Sequence, residues 1–400
     1  MSLEQFGIIN QKIFLEKLST KSIDTILDEP LIDIVDNTID NSKYYIFYII
    51  SKQPYYLLFQ KQSIISGGYG SITYGYMITN KVFSILFPTK IFNTFPEIVN
   101  KTGINKLILL LEKNNINQLV VKYPLEDRIN SYSLLVENTI FAILYDNKIT
   151  KKYIPQLVKI FQYKGSIYTI MEQLDGSIHY DLKKIKQKNK LKEKNTKVYD
   201  RYILSYILQI AYGLYTIYKE YPIFSHRDLK PNNTMYKIVK TNNITIELDD
   251  ISFNYPTYGY QHYIIDFGFS CLNDYSAKNM GECRSTSRDL TQFIFVLLNF
   301  NYMLLSDKVI GYLTYLLDIN PKCNLWRNIY SKNLTKKKKT SLCNSVSGFD
   351  KYLYRYLNQN EFDNPKAYPE NIIKDIYHSI DGELPQSKLG ISTYQSYRYY

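Results

Sequence analysis

The chain alternates between hydrophobic patterns typical of strands and patterns typical of helices. In its first part, β-branched and aromatic stretches predict strands at 43–59, SITYGYMI (71–78), QLVVKYPL (118–125) and YTIMEQL (168–174). Between the last two of these, SLLVENTIFAIL (133–144) has helical periodicity. We therefore expect a small, β-rich region to come first.

From about residue 200 the pattern becomes mainly helical. Two runs without charged residues, 202–218 and 290–306, contain Ser, Gln or Asn with several Tyr, which predicts buried core helices rather than membrane spans. Short strands are expected around 234–239 and 263–266. The predicted fold class is α+β, with a small β-rich lobe followed by a larger helical lobe.

Composition indicates an ordinary globular protein, with 45% hydrophobic and 22% charged residues. The first residues form no signal peptide, which predicts an intracellular location. Four cysteines without metal-ligand spacing favour free thiols over a disulfide or zinc framework. The net charge of +12 comes mostly from lysine runs at 183–197 and 336–339, which lack interleaved aromatic residues. A solvated loop is therefore favoured over a nucleic-acid groove, with recruitment of acidic substrates or phospholipid as an alternative.

The most specific stretch is SHRDLKPNN (225–233), in which His226, Arg227, Asp228 and Asn233 fit the pattern H-R-D-x-x-x-x-N. An Asp-Phe-Gly triplet, beginning at Asp266, follows Asp228 by 38 residues at the end of an apolar stretch. Alone, the triplet is typical of a turn after a strand. In this order the two motifs resemble the eukaryotic-type protein kinase family, and the resemblance covers roughly residues 60–310.

This resemblance implies a two-lobed serine/threonine protein kinase that transfers the γ-phosphate of ATP to protein hydroxyls. Asp228 would orient the acceptor hydroxyl and take its proton, while Asn233 and Asp266 would hold Mg²⁺. Lys230 resembles the lysine that serine/threonine kinases place near the γ-phosphate. The glycine-rich wording and the short segment after Asp-Phe-Gly look most like divergent kinases of large DNA viruses, both poxvirus and mimivirus-like, which would add the host cell or virion as locations.

The stretch ISGGYGSI (65–72) resembles the glycine loop that covers the nucleotide phosphates. Gly67 and Gly70 match the second and third glycines of G-x-G-x-x-G-x-V, and Ile72 matches the valine. Ile65 stands where the first glycine is usual, and Gly68 is an additional glycine within the loop. By itself such a cluster is more typical of a hairpin turn.

Lys122 is expected to anchor the phosphates, because Val121-Lys122 matches the end of V-A-I-K within a strand. Its ion-pair partner would be Glu137, 15 residues later, and Val120 would cover adenine. Lys90 is a rival that lies nearer the glycine loop but 47 residues before Glu137. Choosing Lys122 implies an insertion at about 79–115, interpreted as a surface insertion or a partner-binding segment.

Met171, Glu172 and Leu174 are expected at the hinge between the lobes, where backbone groups would bind adenine. The predicted divisions are an N-terminal extension (1–60), an N-lobe (61–172), a C-lobe (173–385) and a Tyr-rich tail (386–400).

Three other functions compete with a protein kinase. A pseudokinase-type binding or scaffold module would have the same fold but no chemical need for the lysine, glutamate, two aspartates and asparagine named above. A small-molecule kinase of the aminoglycoside type usually lacks Arg227, Lys230 and the Asp-Phe-Gly triplet. A nucleic-acid-binding protein would rest on the lysine runs alone.

The segment after the Asp-Phe-Gly triplet departs from the family, because no Ala-Pro-Glu motif closes it. Asp289 is the candidate for the aspartate that opens the following helix, which leaves only 20 residues after Gly268. A short segment has little chain to switch between ordered and disordered states, so we expect activity without phosphorylation. The opposing interpretation relies on four hydroxyl residues, Ser276, Ser285, Thr286 and Ser287.

Overall fold

The structure is a computed structural model. It describes residues 36–40, 43–49, 55–66, 70–87, 103–114, 116, 118–124, 128–163, 166–182, 196–249, 251–273, 275–276, 283, 287–301, 305–317 and 364–385. The chain divides into two units. The first comprises Met1–Leu174 and Asp266–Gly281, and the second comprises Asp175–Ile265 and Glu282–Tyr400.

An antiparallel sheet dominates the first unit. Its strands are β1 (Asp36–Asp40), β2 (Tyr44–Ile49), β3 (Tyr55–Gln60), β4 (Ile65–Ser66), β5 (Gly70–Ile78), β6 (Gln118–Pro124), β7 (Leu157–Tyr163) and β8 (Ser166–Glu172). The strand order is β1-β2-β3-β5-β6-β8-β7, and β4 pairs with β5. Strands β1 to β3 precede residue 61, so these three strands of the predicted extension belong to the same sheet as the N-lobe strands.

The predicted strand at 43–59 is wrong as a single element, because these residues form the hairpin β2–β3. Tyr45 pairs with Phe59, and Ile49 pairs with Tyr55. The sequence between the two strands contains Pro54, which lacks the N–H that an interior strand position donates. Pro54 was therefore the feature of the sequence that could have predicted a break between two strands.

Hydrophobic clusters cover both faces of the sheet. One includes Phe47, Phe59, Val121 and Ile170. The other includes Ile46 and Leu58, which directly precede Phe47 and Phe59 along the strands. Its further members include Ile78, Leu86, Leu107 and Leu111. Alternation with a period of two places the two clusters on opposite faces.

Three of the four buried leucines of the second cluster, Leu86, Leu107 and Leu111, come from the insertion at 79–115. Its described parts are two helices, α1 (Asn80–Leu86) and α2 (Ile104–Lys113). Leu107 and Leu111 are fully buried, four residues apart on one face of α2. Each buried leucine contributes about 1.5–3 kcal/mol. Helices α1 and α2 therefore pack against the second face of the sheet.

The rest of the first unit carries two site residues. Helix α3 (Arg128–Asp146) contains Glu137, and a 3₁₀ turn (Phe267–Phe269) directly follows Asp266. The rings of Phe141 and Phe267 lie 5.9 Å apart, which ties this turn to α3. The later residues of this unit include strands β14 (Cys271–Leu272) and β15 (Tyr275–Ser276).

The second unit is mainly helical. Its helices are α4 (Thr196–Glu220), α5 (Arg288–Asn301), α6 (Asp307–Leu317) and α7 (Pro369–His378), and its strands are β9 (Phe224–Ser225), β10 (Thr234–Ile238), β11 (Asn243–Leu248), β12 (Ile251–Pro256) and β13 (Tyr260–Ile264). The run 202–218 falls within α4, and residues 290–301 of the second run fall within α5. Residues such as Ile207, Leu214 and Leu297 are fully buried. The prediction of core helices is confirmed for these residues.

Hairpin β11–β12 accounts for much of the 38-residue separation between Asp228 and Asp266. It is inserted between β10 and β13, which pair with each other. The hairpin packs on neighbouring helices: the rings of Phe253 and Tyr377 lie 5.0 Å apart. The sequence interpretation did not identify this hairpin.

Two further findings concern expectations from composition. Cys271 and Cys283 are disulfide-bonded, so the expectation of free thiols is wrong for these two residues. In the part of the chain that the structure describes, no helix is both long and apolar enough to cross a membrane. Residues 183–195 and 336–339, which hold most of the lysine runs, lie outside the described residues.

Candidate active site

Lys122, Glu137 and Asp266 form a cluster of charged side chains in the first unit. Lys122 Nζ lies 2.6 and 2.8 Å from the two carboxylate oxygens of Glu137. The same nitrogen lies 3.0 Å from Asp266 Oδ1. Strand β6 supplies the lysine, α3 the glutamate, and the residue before the 3₁₀ turn supplies Asp266. The structure thus joins three residues that the sequence separates by up to 144 positions.

The electrostatics of the cluster favour an additional cation. Burial lowers the pKa of Lys122, but the carboxylates of Asp266 and Glu137 raise it more, so the net shift is upward and the ammonium stays charged. Burial raises the pKa of Glu137, against the opposing effect of Lys122. The cluster therefore contains two carboxyl groups and one ammonium group. The side chain of Asp266 is 44% exposed, which leaves it accessible to a hard cation.

Two residues of the motifs adopt left-handed backbone conformations. Asp266 has φ 66° in the first unit, and Arg227 has φ 63° in the second. Non-glycine residues rarely adopt this region, and such residues concentrate at functional sites.

The glycine loop is only partly described. Gly67 and Gly68 lie outside the described residues, whereas the backbones of Ile65 and Ile72 pair across the β4–β5 hairpin. A Cβ added to Gly70 would lie 2.9 Å from the carbonyl oxygen of Tyr123 on β6, closer than real Cβ contacts. Glycine at position 70 is therefore required by the close approach of two strands.

The strand register aligns the residues expected around the nucleotide. Ile72 on β5 pairs with Lys122 on β6, and Val120 on β6 pairs with Met171 on β8. These strands are neighbours in the sheet.

The expected hinge residues lie at the end of β8. Leu174 is buried. Glu172 accepts a hydrogen bond from the backbone N–H of Gln156 at 2.8 Å, and its own N–H donates to the Gln156 carbonyl at 2.9 Å. The Glu172 carboxylate therefore fixes the local backbone.

In the second unit, the loop containing Asp228 brings three predicted residues together. Lys230 Nζ lies 3.0 and 2.9 Å from the two carboxylate oxygens of Asp228. Asn233 Nδ2 donates to the backbone oxygen of Asp228 at 2.8 Å and to its Oδ2 at 2.9 Å. Since its nitrogen is bound to Asp228, the amide of Asn233 presents its oxygen elsewhere.

Asp289, the first-turn aspartate of α5, anchors the backbone of this loop. Its carboxylate accepts the backbone N–H groups of His226 and Arg227, each at 2.7 Å. It also accepts the hydroxyl groups of Tyr218 at 3.0 Å and Ser225 at 3.2 Å. The sequence identified Asp289 but gave no signal for Tyr218.

Sequence reasoning also missed Gln292, which it counted among the residues of a core helix. Gln292 Nε2 lies 3.4 Å from Asp228 Oδ1. A polar residue within an apolar helical run was the only signal.

One predicted regulatory hydroxyl is not accessible. Ser287 is fully buried, and its Oγ accepts the backbone N–H of Asn364 at 2.8 Å. The expectation that Ser287 is available for phosphorylation is therefore corrected. Ser285 and Thr286 lie outside the described residues.

The carboxylate of Asp266 in the first unit and the amide oxygen of Asn233 in the second are each of the ligand type that Mg²⁺ prefers. Among the described residues, no group of three or more His, Cys, Asp and Glu is arranged to hold a metal ion. Mg²⁺ usually keeps several waters and binds one or two protein oxygens plus substrate phosphates. In the first unit, a buried lysine held by a carboxylate is suited to binding phosphates. In the second unit, a carboxylate held by a lysine and an amide is suited to accepting a proton.

Comparison with known proteins agrees with this assignment. Residues 105–291, a little under half of the chain, match the protein kinase domain family. This range includes every charged residue of the two clusters and Asp289, and it begins after the glycine loop. A search of curated proteins gave no match. A solved crystal structure described as a kinase domain is similar with 14% identity and a TM-score of 0.39, covering 86% of this chain and 93% of that one.

The domain match confirms the predicted α+β, two-lobed protein kinase-like fold, and it supports protein kinase activity, which is that of a phosphotransferase.

Proposed function

We propose that this protein is a serine/threonine protein kinase that transfers the γ-phosphate of ATP to protein hydroxyls in the presence of Mg²⁺. The observation that supports this most strongly is the environment of Asp228. Its carboxylate is held by Lys230 and Asn233 at 2.9–3.0 Å, within a loop whose backbone is fixed by Asp289. A carboxylate that acts as the base for an acceptor hydroxyl must be held in a fixed orientation, within hydrogen-bonding distance of that hydroxyl.

The first unit would bind the nucleotide. Lys122, held by Glu137, would contact the ATP phosphates, and Asp266 would offer an oxygen to Mg²⁺. Ile65, Ile72, Val120, Met171 and Leu174 would surround the adenine and ribose, while Gly67, Gly68 and Gly70 would approach the phosphates with their backbone N–H groups. When bound, Mg²⁺ would neutralise charge on the phosphates.

The second unit would act on the acceptor. Asp228 would accept the proton of the attacking hydroxyl, and the ammonium of Lys230 would offset negative charge on the transferred group. Asn233 would offer its amide oxygen to the metal, because its nitrogen already donates to Asp228.

Serine/threonine specificity is the finer part of the proposal and rests on Lys230. A relationship to kinases of large DNA viruses, which would place the enzyme in host cytoplasm or virions, rests on the glycine-loop wording with Ile65 and on the short segment after Gly268. Phosphoamino-acid analysis of a labelled protein acceptor tests the specificity directly. Phosphoserine or phosphothreonine is expected, and a predominance of phosphotyrosine would contradict the proposal.

Activity is tested with the full chain, labelled ATP and Mg²⁺, using a generic protein, a small alcohol and a nucleic acid as separate acceptors. Transfer to protein is expected, and Asp228→Asn should reduce it at least about 100-fold with nucleotide affinity nearly unchanged. Asp249→Asn is the control, since it makes the same substitution at an exposed aspartate of the same unit. A parent protein that binds ATP but transfers no more phosphate than Asp228→Asn would instead be a binding module.

A further inference from the structure

Gln292 is a buried polar side chain on α5. It is 5% exposed. Its Nε2 donates to Asp228 Oδ1 at 3.4 Å, whereas its Oε1 has no hydrogen-bond partner among the residues that the structure describes. A carboxylate can only accept, so the amide nitrogen must face Asp228. Burying the Gln292 Oε1 without a donor is unfavourable. The hydrogen bond from Gln292 Nε2 to Asp228 is the polar interaction that offsets this cost.

The position of Gln292 on α5 connects it to the anchor of the loop. Asp289 and Gln292 are three residues apart, so their side chains lie on neighbouring positions of one helix face. Asp289 holds the backbone N–H groups of His226 and Arg227. Helix α5 thus contacts the loop at two places: Asp289 binds the loop's backbone, and Gln292 binds the carboxylate of Asp228.

We propose that Gln292 is a positioning residue for Asp228, and that its amide nitrogen holds the carboxylate in the orientation that receives the proton of the acceptor hydroxyl. This inference rests on the proposed kinase function. Lys230 contacts both oxygens of Asp228, whereas Asn233 contacts Oδ2 and Gln292 contacts Oδ1. Each carboxylate oxygen therefore has its own neutral amide donor in addition to the shared ammonium.

A neutral donor suits this role. A second cation on Oδ1 would stabilise the ionised carboxylate and weaken it as a base, whereas an amide restrains the same rotation without adding charge. The charged group bonded to Asp228 in the described part of the second unit is Lys230.

The first test compares Gln292→Met with Thr291→Val. Methionine has a similar length but no amide, so kcat should fall about tenfold while KM for ATP stays within twofold, because orientation is lost and nucleotide contacts are kept. Tm should not fall, because the unpaired oxygen is removed. Thr291 is also buried, one position along the helix, and its hydroxyl has no hydrogen-bond partner among the described residues, Asp228 included. Thr291→Val should keep kcat within twofold.

The second test uses Gln292→Glu, which places another carboxylate beside Asp228. Glutamate has nearly the same length as glutamine but cannot donate a hydrogen bond as a carboxylate, so kcat should fall at least as far as for Gln292→Met, with KM for ATP within twofold of the parent. Loss of packing alone would lower Tm together with kcat.

The outcomes separate the inference from the proposed function. An inactive parent protein overturns the kinase proposal and the positioning role with it. An active parent whose Gln292→Met or Gln292→Glu form retains kcat within twofold overturns the positioning role alone.

Discussion

Replacing His262 by phenylalanine should remove a pH dependence from the stability of this protein. His262, on β13, is 3% exposed, and both of its ring nitrogens lack hydrogen-bond partners among the described residues. Its neighbours are aromatic, with the ring of Tyr206 at 4.7 Å and that of Tyr236 at 6.1 Å. Burial lowers the pKa of His262 from 6.5 to about 3. The imidazole is therefore neutral in the folded protein.

The sign and size of the effect follow from proton linkage. The unfolded chain takes up a proton at His262 near pH 6.5, whereas the folded chain does so only near pH 3. Stability is therefore fully present above pH 6.5 and is lost as the pH falls towards 3. Between pH 7.5 and pH 5 the loss is about 2 kcal/mol. For a unit of 150–250 residues, this corresponds to a Tm decrease of roughly 4–8 °C.

The assay measures Tm from pH 7.5 to pH 5 for the parent, for His262→Phe, and for His378→Gln as a control at an exposed histidine. Other titrating groups act equally in all three proteins, so the difference between curves isolates His262. The His262→Phe curve should be flatter by the stated amount, and the control should follow the parent. Parallel curves for the parent and His262→Phe would refute the reasoning.

Two other variants test the first unit. Lys122→Met should reduce phosphoryl transfer about 100-fold, because it removes the cation that Glu137 holds at 2.6 Å, whereas Lys90→Met should have little effect. The steady-state rate of phosphoryl transfer is measured for both variants. The opposite ranking would show that Lys90 is the anchoring lysine. Gly70→Ala should raise KM for ATP and cost about 1–3 kcal/mol of stability, because its Cβ would lie 2.9 Å from the Tyr123 carbonyl oxygen. Unchanged KM and Tm for Gly70→Ala would show that β5 and β6 separate easily at this point.

The sequence by itself determined the parts of this protein that depend on local patterns. In the loop around Asp228 and in the Asp-Phe-Gly triplet, the residues of each motif are separated by only a few positions, so the sequence alone shows their spacing. Lys122 and Glu137 were paired from their places in a strand and in the next helix, and the structure brings them into contact. Periodicity also identified α4 and the described part of α5, since the buried face of a helix repeats every three to four residues.

Only the tertiary structure decided which distant residues share a site. The bonds from Asp289 to the loop span about 60 residues, and Gln292 reaches Asp228 over 64 positions. Likewise, the leucines of α2 are buried because the sheet presents a second apolar face to them, and Ser287 is buried against Asn364. The reason is physical: periodicity records which side of an element avoids water, but the partner on that side is set by the path of the whole chain.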